Sequence, residues 1–311
     1  MTTERIAIVG AGLVGQGWAV AFARAGHTVV VHDRTDLSHV RKLIEGTVAA
    51  LVAEGLCDDA DALLSRIGYE ADMVRTLEGA DYVQESVFER LDVKREVSLT
   101  IDRHLRPGAI VGSSTSGFPG SSFTAECGNR DRFLVVHPVN PPHLIPLVEI
   151  VPTPWTAPHI SGQVRALMES IGQSPVSLDR EIEGFVLNRL QGALLDEAFA
   201  LLADGYASAE DIDRAVRDGL GLRWAFMGPF ETIDLNAPEG LADYARRLGP
   251  MYADFAEQRG ADRRWQEHAV AKAHAERRTA VPNETLPDRR AWRDTMLARM
   301  RRFREDNPHS R

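Results

Sequence analysis

The 311 residues predict an α/β fold: a doubly wound, mainly parallel sheet domain followed by an all-helical C-terminal domain. Three observations lead there. Short β-branched runs alternate with longer helical segments as far as Leu178. A glycine-rich turn joins the first strand to the first helix. Strand signals then stop after Glu183-Gly184.

The strand-like runs are residues 5–9 (RIAIV), 28–32 (TVVVH), 81–84 (DYVQ), 109–111 (AIV), 133–137 (FLVVH) and 175–178 (PVSL). Segments 13–25, 37–54, 91–104 and 157–171 repeat their apolar residues at helical spacing. Strand–helix alternation of this kind predicts a parallel sheet covered on both faces. The stretch from Leu37 to Leu64 exceeds a simple crossover and is expected as a helical pair projecting from the sheet. Beyond residue 183, segment 185–203 carries apolar side chains at 187, 190, 194, 198 and 201, the pattern of a wide buried face. Ser208, with Asp211 three residues on, reads as the cap of the next helix. The expected domains are therefore 1–183 and 184–311, and the second is apolar enough to bury surface between subunits.

Composition narrows the function classes. With 44% hydrophobic and 26% charged residues the chain reads as an ordinary soluble globular protein. The N-terminus lacks the pattern of a signal peptide, and no apolar run reaches the roughly 18–20 residues of a membrane span, so no membrane partner is expected. Cys57 and Cys127, the only cysteines, are too few for a disulfide framework or a zinc site, which fits a reducing cytoplasm. A net charge of -9 argues against nucleic acid, whose phosphates need a basic surface. The arginine-rich stretch 289–304 runs against that balance, but interleaved acids make it read as a solvated helix face.

The turn after the first strand is Gly10-Ala11-Gly12-Leu13-Val14-Gly15. A lone GxGxxG is weak evidence; a strand before it, a helix after it and a second strand ending in Asp33 make it strong. Gly10 permits the tight turn, Gly12 the approach of a pyrophosphate, and Gly15 close packing of helix on strand. The backbone at Leu13 and Val14 opens the helix, whose free N–H groups suit phosphate. Asp33 would accept hydrogen bonds from ribose hydroxyls and repel a 2′-phosphate. That favours NAD over NADP, with the neighbouring Arg34 keeping the alternative open. The sheet domain is thus expected to be of Rossmann type.

Four separated segments place polar groups where catalysis would need them. They are Ser113-Ser114-Thr115-Ser116-Gly117, His137-Pro138-Val139-Asn140, Glu149 inside the apolar run LVEIV, and Asn188 at the start of the helical part. With these in view, the sequence resembles the 3-hydroxyacyl-CoA dehydrogenase superfamily. Within it, the resemblance is greatest to the L-gulonate 3-dehydrogenase (lambda-crystallin) branch. It spans essentially the whole chain and is carried by HPVNPP (137–142), LVEIVP (147–152), GFVLNRLQ (184–191), GLGLRWAFMGPFET (219–232), DLNAPEG (234–240) and RRAWRD (289–294).

The resemblance implies that His137 is the general base, a role suited to a group that exchanges protons near neutrality. It makes Glu149 the carboxylate that orients His137. Ser116 and Asn188 would hold the substrate oxygen, Asn140 would position substrate or nicotinamide, and Glu89 and Lys94 would lie beside the cofactor. It also implies a homodimer formed through the helical domain. The expected reaction is NAD-dependent oxidation of the 3-hydroxyl of a small polar hydroxy acid, L-gulonate first. Arg223 is expected to pair bidentately with the substrate carboxylate.

Three alternatives stand beside this reading. The substrate could be a 3-hydroxyacyl-CoA such as 3-hydroxybutyryl-CoA. It could be L-carnitine, whose trimethylammonium group Trp224 and Phe226 would suit. Or the chain could be a non-catalytic, crystallin-like NAD-binding protein. Nothing in the chain matches the lysine motif of the β-hydroxyacid dehydrogenases. No metal is expected.

Overall fold

A computed structural model describes residues 3–259 and 264–307. The chain divides into two compact units: Met1–Asn188 together with Trp292–Asn307, and Arg189–Ala291.

The first unit is built on one eight-stranded sheet. Its strands are β1 (Arg5–Val9), β2 (Thr28–His32), β3 (Ile67–Tyr69), β4 (Tyr82–Glu85), β5 (Ile110–Ser113), β6 (Phe133–Pro138), β7 (Leu147–Pro152) and β8 (Ser174–Ser177). They lie in the order β3-β2-β1-β4-β5-β6-β7-β8. All neighbours are parallel except β6 and β7. The sheet grows outward from β1 to β3 on one side and from β4 onward on the other. A crevice is therefore expected at the carboxyl ends of β1 and β4, where ligands of such sheets bind. Helices Leu13–Arg24 and Pro158–Ser170 cover one face, with Trp18, Phe22, Val164 and Met168 fully buried in the main core. Asn140–Pro141, after β6, is a cis peptide bond.

Two strands were not in the sequence pattern. β3 has three residues, too few to show alternation, and is held by parallel pairing of Val29, Val30 and Val31 with Ile67, Gly68 and Tyr69. β7 is the apolar run around Glu149, paired antiparallel with β6. The helical pair expected to project from the sheet forms as Leu37–Ala53 and Ala60–Ser65 but does not project. Val40, Ile44, Val48 and Leu51 recur on one face of the longer helix, and that stripe is buried in the main core beside Trp18.

The carboxyl-terminal helix Leu286–Asp306 also departs from expectation. From Trp292 it groups with the first unit, whereas the sequence assigned all of 184–311 to the second. Ala298 joins the main core and Leu297 packs against it. Its arginines are not simply a solvated face: Arg299 pairs with Glu54 at 3.0 Å, and Arg301 is buried.

The described part of the second unit is helical throughout, including Ala209–Arg214, Pro229–Leu235, Leu241–Arg259 and Glu267–Ala280. Ser208 caps its helix as expected, its hydroxyl accepting from the Asp211 N–H at 3.2 Å. The wide buried face expected on helix Leu187–Ala203 is only half-buried: Leu202 alone is buried and Leu190 is exposed. Among the described residues, no helix is long and apolar enough to cross a membrane.

Candidate active site

The cofactor loop follows from the end of β1. Gly10 has φ +98°, and a Cβ there would lie 2.6 Å from the Ser86 carbonyl oxygen, so only glycine makes this turn beside β4. A Cβ on Gly15 would fall on the Gly10 carbonyl, which is why the helix can start so close to the strand. Gly12 has open space above it and caps helix Leu13–Arg24 without any side-chain bond. The first N–H groups of that helix, with exposed Leu13 and half-buried Val14, are thus left for an anion. Asp33, just past β2, accepts from the Ala11 N–H at 2.6 Å and the Thr35 N–H at 2.8 Å. Burial pushes its carboxyl up, but these bonds outweigh it and hold it below the ordinary value. An ionised carboxylate beside an open, side-chain-free helix start fits the ribose and pyrophosphate of NAD.

A buried charge cluster stands next to this loop. Lys94, fully buried, donates to both oxygens of Glu85 at 3.0 and 3.2 Å and lies 3.3 Å from Glu89. Glu85 also accepts from the Ser113 hydroxyl and, at 2.8 Å, from the Val87 N–H. One oxygen of Glu89 accepts from the Thr115 hydroxyl (2.7 Å), the Ser116 N–H (2.8 Å), the Ser116 hydroxyl (3.2 Å) and the Gly117 N–H (3.2 Å). Burial pushes the Glu89 carboxyl up, and those donors together with Lys94 hold it down instead. Glu89 therefore clamps the loop carrying Ser116.

His137 and Glu149 meet because β6 and β7 are antiparallel and register sets these two residues directly opposite. Such cross-strand pairs place their Cβ atoms within about 5.5 Å on one face. The His137 Nδ1 lies 2.8 Å from Glu149 Oε2, and both side chains are buried. Glu149 Oε1 accepts from the Val186 N–H at 2.8 Å and the Leu187 N–H at 3.0 Å. Burial pushes the Glu149 carboxyl up, and the bonds from His137, Leu187 and Val186 more than offset it, holding it below the usual value. A carboxylate can only accept, so Nδ1 carries the proton and Nε2 is left as the basic nitrogen. The turn that aims the two N–H groups at Glu149 uses successive left-handed residues, Gly184 (φ +73°) and Phe185 (φ +52°). That conformation strains a phenylalanine. Its ring is buried against His137, with centroids 5.4 Å apart.

Asn188, in the first turn of helix Leu187–Ala203, donates to the Ser116 carbonyl at 2.6 Å. Hydrogen bonds therefore join Glu89, Ser116 and Asn188, while Glu149, holding the start of the same helix, carries His137. Asn140 is exposed beyond the end of β6. Arg223 is exposed on the short helix Gly221–Trp224 of the second unit. The sequence reading missed Glu85, Phe185 and the two backbone donors to Glu149, and it named Thr115 only as part of the segment 113–117. Only Glu85 left a signal, an acid closing a strand buried on both faces. Among the described residues, no group of three His, Cys, Asp or Glu side chains is placed to hold a metal ion.

Comparison with known proteins agrees with this geometry. The pattern "3-hydroxyacyl-CoA dehydrogenase, NAD binding domain" matches residues 5–182, and "3-hydroxyacyl-CoA dehydrogenase, C-terminal domain" matches residues 184–282. The chain belongs to the 3-hydroxyacyl-CoA dehydrogenase family. Its cofactor is NAD, and its activity is dehydrogenation of the kind this family performs. It is 40% identical to the lambda-crystallin homolog of Bos taurus, covering 97% of this chain and 96% of that protein. It is 37% identical to the L-carnitine dehydrogenase of Streptomyces coelicolor, covering 79% of this chain and 78% of that protein. Among solved structures it is similar to FHMPC 5-dehydrogenase, an NAD+-dependent dismutase acting on a pyridine carboxylic acid. The TM-score is 0.77 at 28% identity, covering 97% of this chain and 99% of that one.

Proposed function

We propose that this family member oxidises the 3-hydroxyl of a small polar hydroxy acid, L-gulonate first, with His137 as general base. The observation that carries the reading is the dyad: a histidine whose Nδ1 is held by a buried, ionised Glu149 and whose Nε2 is left to accept a proton. Bound NAD supplies the acceptor for the hydride that leaves the substrate carbon. His137 takes the hydroxyl proton, and Glu149 stabilises the imidazolium that forms. The Ser116 hydroxyl and the Asn188 amide hold the substrate oxygen. Asn140 positions substrate or nicotinamide, and Glu89 and Lys94 border the cofactor.

A free acid is favoured over a thioester on two grounds. The relative of Bos taurus that matches nearly end to end is a lambda-crystallin homolog, the branch linked above to L-gulonate. The solved neighbour at TM-score 0.77 is named for a carboxylic acid substrate. Arg223 then pairs with the carboxylate. The homodimer belongs to the same reading, since the second unit leaves Leu222, Phe230 and Leu235 exposed. Both cysteines are free thiols, consistent with a cytoplasmic protein. L-carnitine is the second reading, favoured by its dehydrogenase among the relatives and by Trp224 and Phe226 on the Arg223 segment.

The test is a panel of L-gulonate, L-carnitine, 3-hydroxybutyrate and 3-hydroxybutyryl-CoA with NAD, followed by NADH absorbance. The highest kcat/KM is expected for L-gulonate. Preference for the thioester would overturn the free-acid reading, and no turnover with any of them would favour a non-catalytic protein. His137→Ala should bind NADH normally and lose roughly 10²–10⁴-fold in kcat. Arg223→Ala should cost about 10–100-fold in kcat/KM for the acid, the worth of a charged hydrogen bond.

A further inference from the structure

The carboxyl-terminal helix lies beyond the stretches that match the family, which end at residue 282, yet from Trp292 onward it is part of the first unit. Its one deeply buried charge is Arg301, 8% exposed. The guanidinium donates to the His143 carbonyl at 3.0 Å, the Gly172 carbonyl at 3.4 Å and the Glu305 carboxylate at 2.9 Å. Burying a cation is costly unless it is well bonded. A rigid fork of five donors can serve two backbone carbonyls and a carboxylate together, whereas an ammonium cannot match that geometry.

The place where this fork lands is informative. His143 belongs to the loop between β6 and β7, which carries Asn140 three residues earlier. The preceding carbonyl, that of Pro142, is held by the buried Gln173 amide at 3.2 Å. The other side of the loop rests on the cofactor helix. A Cβ on Gly17 would lie 2.6 Å from Pro142 Cδ and 3.2 Å from His143 Nδ1, so the contact has no slack. Arg24 and Glu305 stand beside Arg301, and Arg24, Arg301 and Asp294 act on the His143 ring. Burial and the neighbouring Arg24 push the His143 imidazole down to about 4, so it stays neutral beside the two arginines.

Anchoring the helix does not by itself call for these bonds. Ala298 and Leu297 already pack on the core, and Arg299 and Arg302 already reach Glu54. We propose that Arg301 is a positioning residue: from the carboxyl-terminal helix it fixes the 139–145 loop against the cofactor helix, and so sets Asn140 for the nicotinamide end of NAD. The proposal rests on the reading of Asn140 given above. It makes the last helix a strap that serves one half of the cofactor, the adenine half being held by Asp33 and the glycine loop.

The experiment uses the full-length protein and compares Arg301→Met with Arg299→Ala, which cuts a surface tie of the same helix. Dissociation constants are measured for NADH and for ADP-ribose, which lacks only the nicotinamide. Arg301→Met should weaken NADH about tenfold, the equivalent of one charged hydrogen bond, and leave ADP-ribose within about twofold. Arg299→Ala should leave both unchanged. Equal weakening of both ligands, or no weakening of either in folded Arg301→Met, would overturn the proposal. Should Arg301→Met not fold, Gln173→Met releases the adjacent carbonyl and must give the same split, or the proposal fails. These are binding measurements, so a wrong substrate assignment would appear as absent turnover and leave the NADH-to-ADP-ribose ratio readable.

Discussion

The two units of this chain satisfy their apolar residues in opposite ways. In the first, Ile6, Ile8, Trp18, Phe22, Ile44 and Val164 are completely shielded by the unit's own side chains. Among the described residues of the second, only Leu202, Ala269, Thr232 and Asp243 are buried, while Tyr206, Leu222, Phe230 and Leu235 stand 65–77% exposed. Exposed apolar side chains of this kind are what the proposed homodimer would cover. The contrast also tracks the chemistry. Every hydrogen bond that organises His137, Glu149, Ser116 and Asn188 lies within the first unit. Sheet geometry thus sets the His137–Glu149 pair to which we assign proton transfer.

The most forceful way to break the contrast is to remove a large side chain from the dense unit. Trp18 is fully buried, and its ring N–H donates to the Ser114 hydroxyl at 3.2 Å. Trp18→Ala should cost about 3–5 kcal/mol, through lost burial and the cavity left behind. Denaturant unfolding of the variant measures this. A loss under about 1 kcal/mol would mean that the core is looser than its packing implies.

A smaller effect is expected from pH, and its sign follows from Glu149. Its folded pKa is depressed, so its contribution to stability is complete above the ordinary carboxylate value of about 4.3 and is lost as pH falls through the lower folded value. Glu149→Gln keeps a hydrogen-bonding shape but cannot titrate. The difference in Tm between wild type and Glu149→Gln should shrink as pH drops below about 4.3. A difference that stays constant through the acid range would show that the charge on Glu149 contributes nothing to holding Val186 and Leu187. Asp33 and Glu89 titrate in the same region, and the subtraction removes them because both proteins retain them.

What the sequence made legible follows the same division. The glycine loop, Asp33 and the strand–helix alternation are local patterns, and each appears where periodicity placed it. The His137–Glu149 pair was expected from the family resemblance, but its cause was not legible: both residues face one another because β7 runs antiparallel to β6. Glu85 left a signal as an acid closing a buried strand, but its role was not legible because its partners, Lys94 and Ser113, come from two other elements. Phe185 gave no sign, since a left-handed phenylalanine contradicts local preference and persists only through its surroundings. The arginine-rich helix misled for the same reason. Its composition reads as solvated, and its burial depends on carbonyls 129 and 158 residues away along the chain.

The smallest effect belongs to the open unit and is the sharpest test of it. Phe230, on helix Pro229–Leu235, is 74% exposed. A substitution there removes almost no burial within the chain, so Phe230→Ser should change the stability of the dilute protein by no more than about 0.5 kcal/mol. Its effect should appear in association instead. Unfolding coupled to dimer dissociation depends on protein concentration, because the partner acts as a ligand of the folded state. The wild-type Tm should therefore rise with concentration, and the variant should need a higher concentration to reach the same value, with a weaker dimer in sedimentation equilibrium. If Phe230→Ser instead lowers Tm by several degrees at every concentration, Phe230 is core within one chain. The difference between the two units would then be one of degree, and the dimer would lose its strongest physical support.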